Sequence, residues 1–141
     1  MHQRHLVTKT KLLYLPNTAS KTLKWFSTDM QDRFEQNLHK VDPYYLNLDI
    51  TYNFNSAGYR TSEFDQYTED QFFVAMGCSY TVGEGLLQSD RWSDQLSARL
   101  GIADMNLGIS GGSIDLIMFN SINYVNSDLP KPKFVVIQLP E

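Results

Sequence analysis

Phe72-Phe73-Val74-Ala75-Met76-Gly77-Cys78-Ser79 is the stretch on which the reading of this chain turns. Five consecutive apolar residues, aromatic and partly β-branched, predict a strand buried on both faces, as in a parallel sheet. Gly77 ends the run and permits a sharp turn. Beyond it, Asp90 is placed to cap a helix whose apolar face is Trp92, Leu96 and Leu100, with Gly101 as its stop. Ala103–Leu107 reads as a second strand, followed by a tight turn from Gly108 to Gly112. Ser113 can cap the next helix, from Ile114 to about Val125, with Ile114, Ile117, Met118 and Ile122 on one face. Asn126–Lys133 is a loop with two prolines, and Phe134-Val135-Val136-Ile137-Gln138 predicts a third buried strand. Strand, helix, strand, helix, strand implies right-handed crossovers and an α/β layered domain.

Upstream the composition changes. All 8 glycines fall from Gly58 onward. Residues 1–40 carry seven basic side chains (Arg4, Lys9, Lys11, Lys21, Lys24, Arg33, Lys40) against Asp29, Asp32 and Glu35, so the acidic excess lies downstream. Spread out and interleaved with acids, these basic residues read as a solvated leader or helical extension. Ser27 is a candidate N-cap for a helix near residues 28–40, where Phe34, Leu38 and Val41 recur at helical spacing; Asp42-Pro43 ends it. Residues 44–70 read as loop, with short extended pieces around Leu46–Phe54. The chain thus divides into an extension, 1–70, and an α/β portion, 71–141.

Of the 141 residues, 42% are hydrophobic and 20% charged, a balance that supports a folded core. The net charge of −4 offers no broad basic face for nucleic acid. Cys78 is the only cysteine, which excludes an intramolecular disulfide and the cysteine-rich zinc sites. No apolar run approaches the roughly 20 residues of a membrane span, and no export signal is visible, so a cytoplasmic protein without a membrane partner is expected.

In an open parallel sheet, ligands bind beyond the carboxyl ends of the strands. The turn Gly77–Thr81 therefore matters, as do Asn106–Gly112 and Leu139-Pro140-Glu141. Ser79 is either a nucleophile or the cap of the following turn. The Gly108–Gly112 turn is a phosphate cradle, an oxyanion loop or a plain strand-to-helix connection. It does not fit Gly-x-Gly-x-x-Gly and lacks the lysine of a nucleotide P-loop. Cys78 reads as a small buried group rather than a thiol nucleophile. Tyr80, Asn106 and Ser110 are candidates to line a pocket. Glu84 and Asp115 lie close enough to hydrogen-bond there.

Phe73 to Gly85 resembles block I of the SGNH/GDSL hydrolase superfamily, in a variant where Gly-Cys-Ser replaces Gly-Asp-Ser. Asn106-Leu107-Gly108-Ile109-Ser110-Gly111 resembles block II. Arg91-Trp92 and the helix to Leu100 fit the segment between them. Asn55-Ser56-Ala57-Gly58-Tyr59-Arg60 resembles the lead-in before block I. The resemblance covers residues 53–141 and rests on the order and spacing of these motifs. It implies a three-layer, flavodoxin-like sheet with strand order 2-1-3-4-5, of which strands 1–3 are present in the order 2-1-3. It also implies that Ser79 is the catalytic nucleophile and that the amides of Ser79 and Gly108 are oxyanion donors. No metal or cofactor is called for. The implied substrate is a small ester or an acetylated carbohydrate.

The family's third oxyanion donor, an asparagine after strand three, would fall just beyond Glu141, and Pro140 departs from the family's glycine. The family's base and its orienting acid come from a C-terminal Asp-x-x-His; here the histidines are His2, His5 and His39, all in the leader. A serine hydroxyl needs a base to become a nucleophile. The expectation is therefore the N-terminal portion of a serine esterase, inactive as it stands. The apolar edge of strand three would be left unpaired and in need of cover, by a second copy or by further chain. Two alternatives stay open: a non-catalytic binding or structural module on the same fold, and a flavodoxin-like nucleotide or flavin binder.

Overall fold

The computed structural model describes residues 12–140. Its elements run β1 (Thr22–Leu23), α1 (Gln31–Gln36), α2 (Pro43–Leu46), β2 (Tyr52–Asn53), β3 (Phe72–Met76), α3 (Ser79–Val82), α4 (Trp92–Leu100), β4 (Ala103–Asn106), α5 (Ile114–Val125) and β5 (Phe134–Ile137), with short 3-10 turns between.

Mixed α/β architecture is built on a three-stranded parallel sheet ordered β4-β3-β5. The apolar run at Phe72–Met76 takes the central place, where both of its apolar faces are covered. All five of its residues are buried. Phe72, Val74 and Met76 point into a core that also holds Met105, Leu107, Ile117 and Tyr124. Phe73 and Ala75 take the opposite face, where the Phe73 ring stacks on Phe134. Each such side chain is worth roughly 1.5–3 kcal/mol of burial.

The extension joins this core. Leu12 and Tyr59 belong to the same buried cluster, with Leu13, Leu15, Ala57, Phe64 and Tyr67 packed against it. The Tyr59 hydroxyl donates to the carbonyl of Leu13 and accepts from Asn120 on α5. The two compositional halves of the chain thus share one interior.

Several sequence expectations are corrected. The helix expected near 28–40 breaks into α1 and a 3-10 turn at Leu38–Lys40. Ser27 does not cap it. It sits at positive φ (57°) inside a tight turn closed by paired backbone bonds between Phe26 and Asp29. Asp42-Pro43 both ends that region and starts α2, where Asp42 accepts from the Tyr44 amide at 2.8 Å and proline occupies the first turn. A small antiparallel pair, β1 with β2, closes the extension.

Asp90 lies in a 3-10 turn, and Arg91 begins α4 instead. The Arg91 guanidinium is drawn inward to Asp94 (2.6 Å) and to the carbonyl of Arg60 (2.7 Å), which moves the helix start one residue on. Leu100, assigned to the apolar face of α4, is exposed, while Gly101 ends the helix as expected. Ser113 does cap α5, accepting from the Leu116 amide.

The buried face of α5 is Ile117, Asn120 and Tyr124; of the expected stripe Ile114, Ile117, Met118 and Ile122, Ile117 is buried and the other three are not. Asn120 turns inward because its amide satisfies the Leu13 N–H and the Tyr59 hydroxyl. Ile114, Met118, Phe119, Ile122 and Val125 are left exposed. So is β5, expected as a buried strand: it pairs only with β3, and Phe134, Val135 and Ile137 are exposed on its faces.

Candidate functional site

Ser79 opens α3 immediately after the carboxyl end of the central strand. Its seat is built by two glycines. A Cβ at Gly77 would stand 2.0 Å from Thr81 Oγ1, and one at Gly108 would stand 2.6 Å from the Val82 amide nitrogen. A side chain at Gly108 would press on the α3 backbone, and one at Gly77 would displace the Thr81 side chain. The loop after β4 is held to the sheet by the Leu107 and Ile109 amides, which donate to Ala75 and Gly77 carbonyls at 2.8 and 2.9 Å. This brings the two family-like motifs, residues 77–85 and 106–111, against each other.

Asn106 fastens them. It is completely buried, its Nδ2 donating to the Thr81 carbonyl at 2.6 Å and to Ser93 Oγ at 2.9 Å. Its Oδ1 accepts from the Gly108 amide at 3.0 Å. Asn106 is therefore a brace rather than a pocket wall. The Gly108 N–H, expected to be an oxyanion donor, is already engaged inside the protein. In the same loop, the Ser110 and Gly111 amides have no acceptor among the described residues, and the space around the Gly111 α-carbon is open.

Tyr80 is 73% exposed. Cys78 is buried, as its small apolar character suggested. Ser110 Oγ donates to Glu84 Oε1 at 2.5 Å and lies 2.7 Å from Ser27 Oγ. The other oxygen of Glu84 accepts from the Thr28 hydroxyl at 2.6 Å. Glu84 is thus a clamp between the extension and the loop after β4. Asp115 is exposed in the first turn of α5. His39 sits in the 3-10 turn after α1, exposed; His2 and His5 lie outside the described residues. Among the described residues no imidazole or carboxylate accepts from Ser79 Oγ, and no three His, Cys, Asp or Glu side chains converge as a metal site.

Arg60 was quoted from the sequence only as part of a motif, yet it does much of the positioning. Its guanidinium is buried beneath the turn that Ser79 begins. It donates to the carbonyls of Val82 (3.2 Å), Gly83 (2.7 Å), Leu86 (3.0 Å) and Thr51 (3.2 Å). It also lies 4.3 Å from the centre of the Tyr52 ring. Burial, then the nearby Arg91 charge, push its pKa down to about 10. Asn55 holds the lead-in, its Oδ1 accepting from the Ala57 and Tyr59 amides. The signal for these roles was a buried arginine within a glycine-containing turn, which residue type alone reads as surface.

A cavity of about 460 Å³ opens beside the same turn, lined by Gly85, Leu86 and residues of the extension. No helix among the described residues is long and apolar enough to cross a membrane. Comparison of the chain with known protein families, with curated proteins and with solved structures found no match.

Proposed function

We propose that this chain carries the nucleophile-bearing part of an SGNH/GDSL-type serine esterase on a flavodoxin-like sheet. The observation that carries the reading is the seat of Ser79. The serine opens a short helix at the carboxyl end of the central strand, beside a loop with unengaged amides. In an α/β sheet that is where ligands bind. In this reading Ser79 Oγ attacks the carbonyl of a small ester or acetylated carbohydrate. The Oγ–carbon bond forms, the alcohol leaves, and water releases the acyl group. The Ser79 amide and a loop amide would hold the negative oxygen, each worth about 3 kcal/mol. With Gly108 engaged, Gly111 or Ser110 is the better candidate for the second donor.

The proton of Ser79 has no acceptor among the described residues, so negligible turnover is expected of this chain. A non-catalytic binding module on the same fold is the second reading, favoured by the engaged Gly108 amide. A fluorophosphonate probe with peptide mapping separates them. Slow labelling at Ser79 above Ser27 and Ser110 supports the esterase reading; labelling spread over exposed serines refutes it. Hydrolysis of p-nitrophenyl acetate that disappears in Ser79→Ala would overturn the expectation of inactivity.

A further inference from the structure

We infer that the cavity between the extension and the Ser79 turn is a binding site for a neutral small molecule with an aliphatic or aryl body. Its volume, about 460 Å³, falls within the range of small-molecule sites, roughly 300–1,000 Å³. The rings of Trp25, Phe34 and Tyr45 and the side chains of Leu48, Ile50 and Leu86 supply its walls. Trp25 and Phe34 hold each other, with ring centres 5.8 Å apart. Walls of this kind reward an apolar body through the area taken from water.

The charges around the cavity settle the ligand's head. Lys24 and Asp49 pair with each other at the rim and leave no net charge there. Asp29 is the remaining charge. Its Oδ2 accepts from the Tyr52 hydroxyl, and its Oδ1 has no donor among the described residues. The Trp25 indole N–H likewise has no acceptor among them. A hydroxyl or amide head can use both groups, whereas a carboxylate would face the Asp29 carboxylate at close range, with the Arg60 guanidinium set back behind the Tyr52 ring.

The cavity borders the backbone that follows the Ser79 turn. Gly85 and Leu86 line it, and the Gly85 amide donates to the Tyr52 hydroxyl at 2.7 Å. The Glu84 amide donates to the carbonyl of Ser79 at 3.3 Å. The ligand site does not depend on Ser79 being a nucleophile, and it stands if that reading fails.

The chain has two tryptophans, so Trp92→Phe leaves Trp25 as the single reporter. Titration of that protein with n-octanol should give a saturable change in Trp25 emission. Octanoate at neutral pH should bind at least tenfold more weakly. Filling the cavity with Val41→Phe should weaken octanol at least tenfold. Should that variant misfold, nuclear Overhauser contacts from octanol to the Ile50 and Leu86 methyls in the unaltered chain test the same point. Absence of saturation, contacts to other methyls only, or octanoate binding as tightly as octanol would each overturn the inference.

Discussion

Replacing Gly108 with alanine adds one methyl group where the structure has no room for it. The new Cβ would lie 2.6 Å from the Val82 nitrogen and 3.0 Å from both Asn106 Oδ1 and the Thr81 carbonyl carbon. Two of these atoms are helix backbone, and the third belongs to a side chain held by three hydrogen bonds. No flexible chain end can swing aside, so α3 must lift from the loop or Asn106 must release it. Overpacking of this kind costs about 1–3 kcal/mol. A weakened Asn106–Gly108 bond adds about 1 kcal/mol. The expected total is therefore about 2–4 kcal/mol, to be read from the urea midpoint of Trp92 fluorescence in a Trp25→Phe background. Gly111→Ala is the control. It has open space but sits at φ +68°, so it should lose only about 1–2 kcal/mol from backbone strain. Equal stability of Gly108→Ala and the parent, or a larger loss at Gly111, would refute the claim that Gly108 seats the Ser79 turn.

Arg60→Met keeps most of the bulk but leaves carbonyls of Thr51, Val82, Gly83 and Leu86 without their donor. A loss of about 2–4 kcal/mol and faster amide exchange over residues 82–86 are expected; unchanged exchange there would show that Arg60 does not hold the turn. The Asp104 carboxyl is held above its ordinary 3.8, first by burial and then by the Asp94 charge, with Arg91 opposing. The folded state therefore keeps that proton longer than the unfolded chain, and this group's contribution falls as pH rises above 3.8. Urea midpoints across the acidic to neutral range should show Asp104→Asn gaining on the parent with rising pH, and a pH-independent difference would contradict this. The exposed Phe134, Val135 and Ile137 on the β5 edge should promote self-association, measured by sedimentation. Val135→Lys should reduce it, and a parent that stays monomeric at high concentration would remove this edge as an interface.

The parallel sheet was legible because the Phe72–Met76 run can satisfy neither face in water, and its neighbours alternate with long helical segments. The strand order β4-β3-β5 matches the expected 2-1-3. Tyr52–Asn53 lies within the Leu46–Phe54 stretch expected to hold extended pieces, but its pairing with Thr22–Leu23 was not legible, because two residues carry no periodicity. Which face of α5 is buried was misread for a different reason. The apolar stripe was counted, but Asn120 has two partners in the extension, and satisfying buried polar groups set the rotation of the helix. The engagement of the Gly108 amide was equally hidden, since it depends on a rotamer of Asn106 that sequence does not specify.

A plain strand-to-helix connection does not need the buried polar apparatus found here. Asn106 and Arg60 are each at most 1% exposed, and both spend most of their hydrogen-bonding capacity on backbone atoms of residues 81–86 and 108. Burying such groups costs free energy that apolar side chains of similar size would avoid. Their return is a fixed position for the turn, which favours a site over a linker. The proposed nucleophilic chemistry needs an acceptor for the hydroxyl proton as well as a fixed position. Of the two serines on the facing loops, Ser79 and Ser110, it is Ser110 that has a carboxylate acceptor, bonded to Glu84 at 2.5 Å. That carboxylate also accepts from Thr28, so its charge is shared and its geometry fixed by the extension. If hydroxyl activation alone governed reactivity, Ser110 would be labelled first. If the seat at the strand end governs it, Ser79 is labelled first although no base among the described residues reaches it. The site of labelling therefore measures which of the two contributions the fold was built to supply.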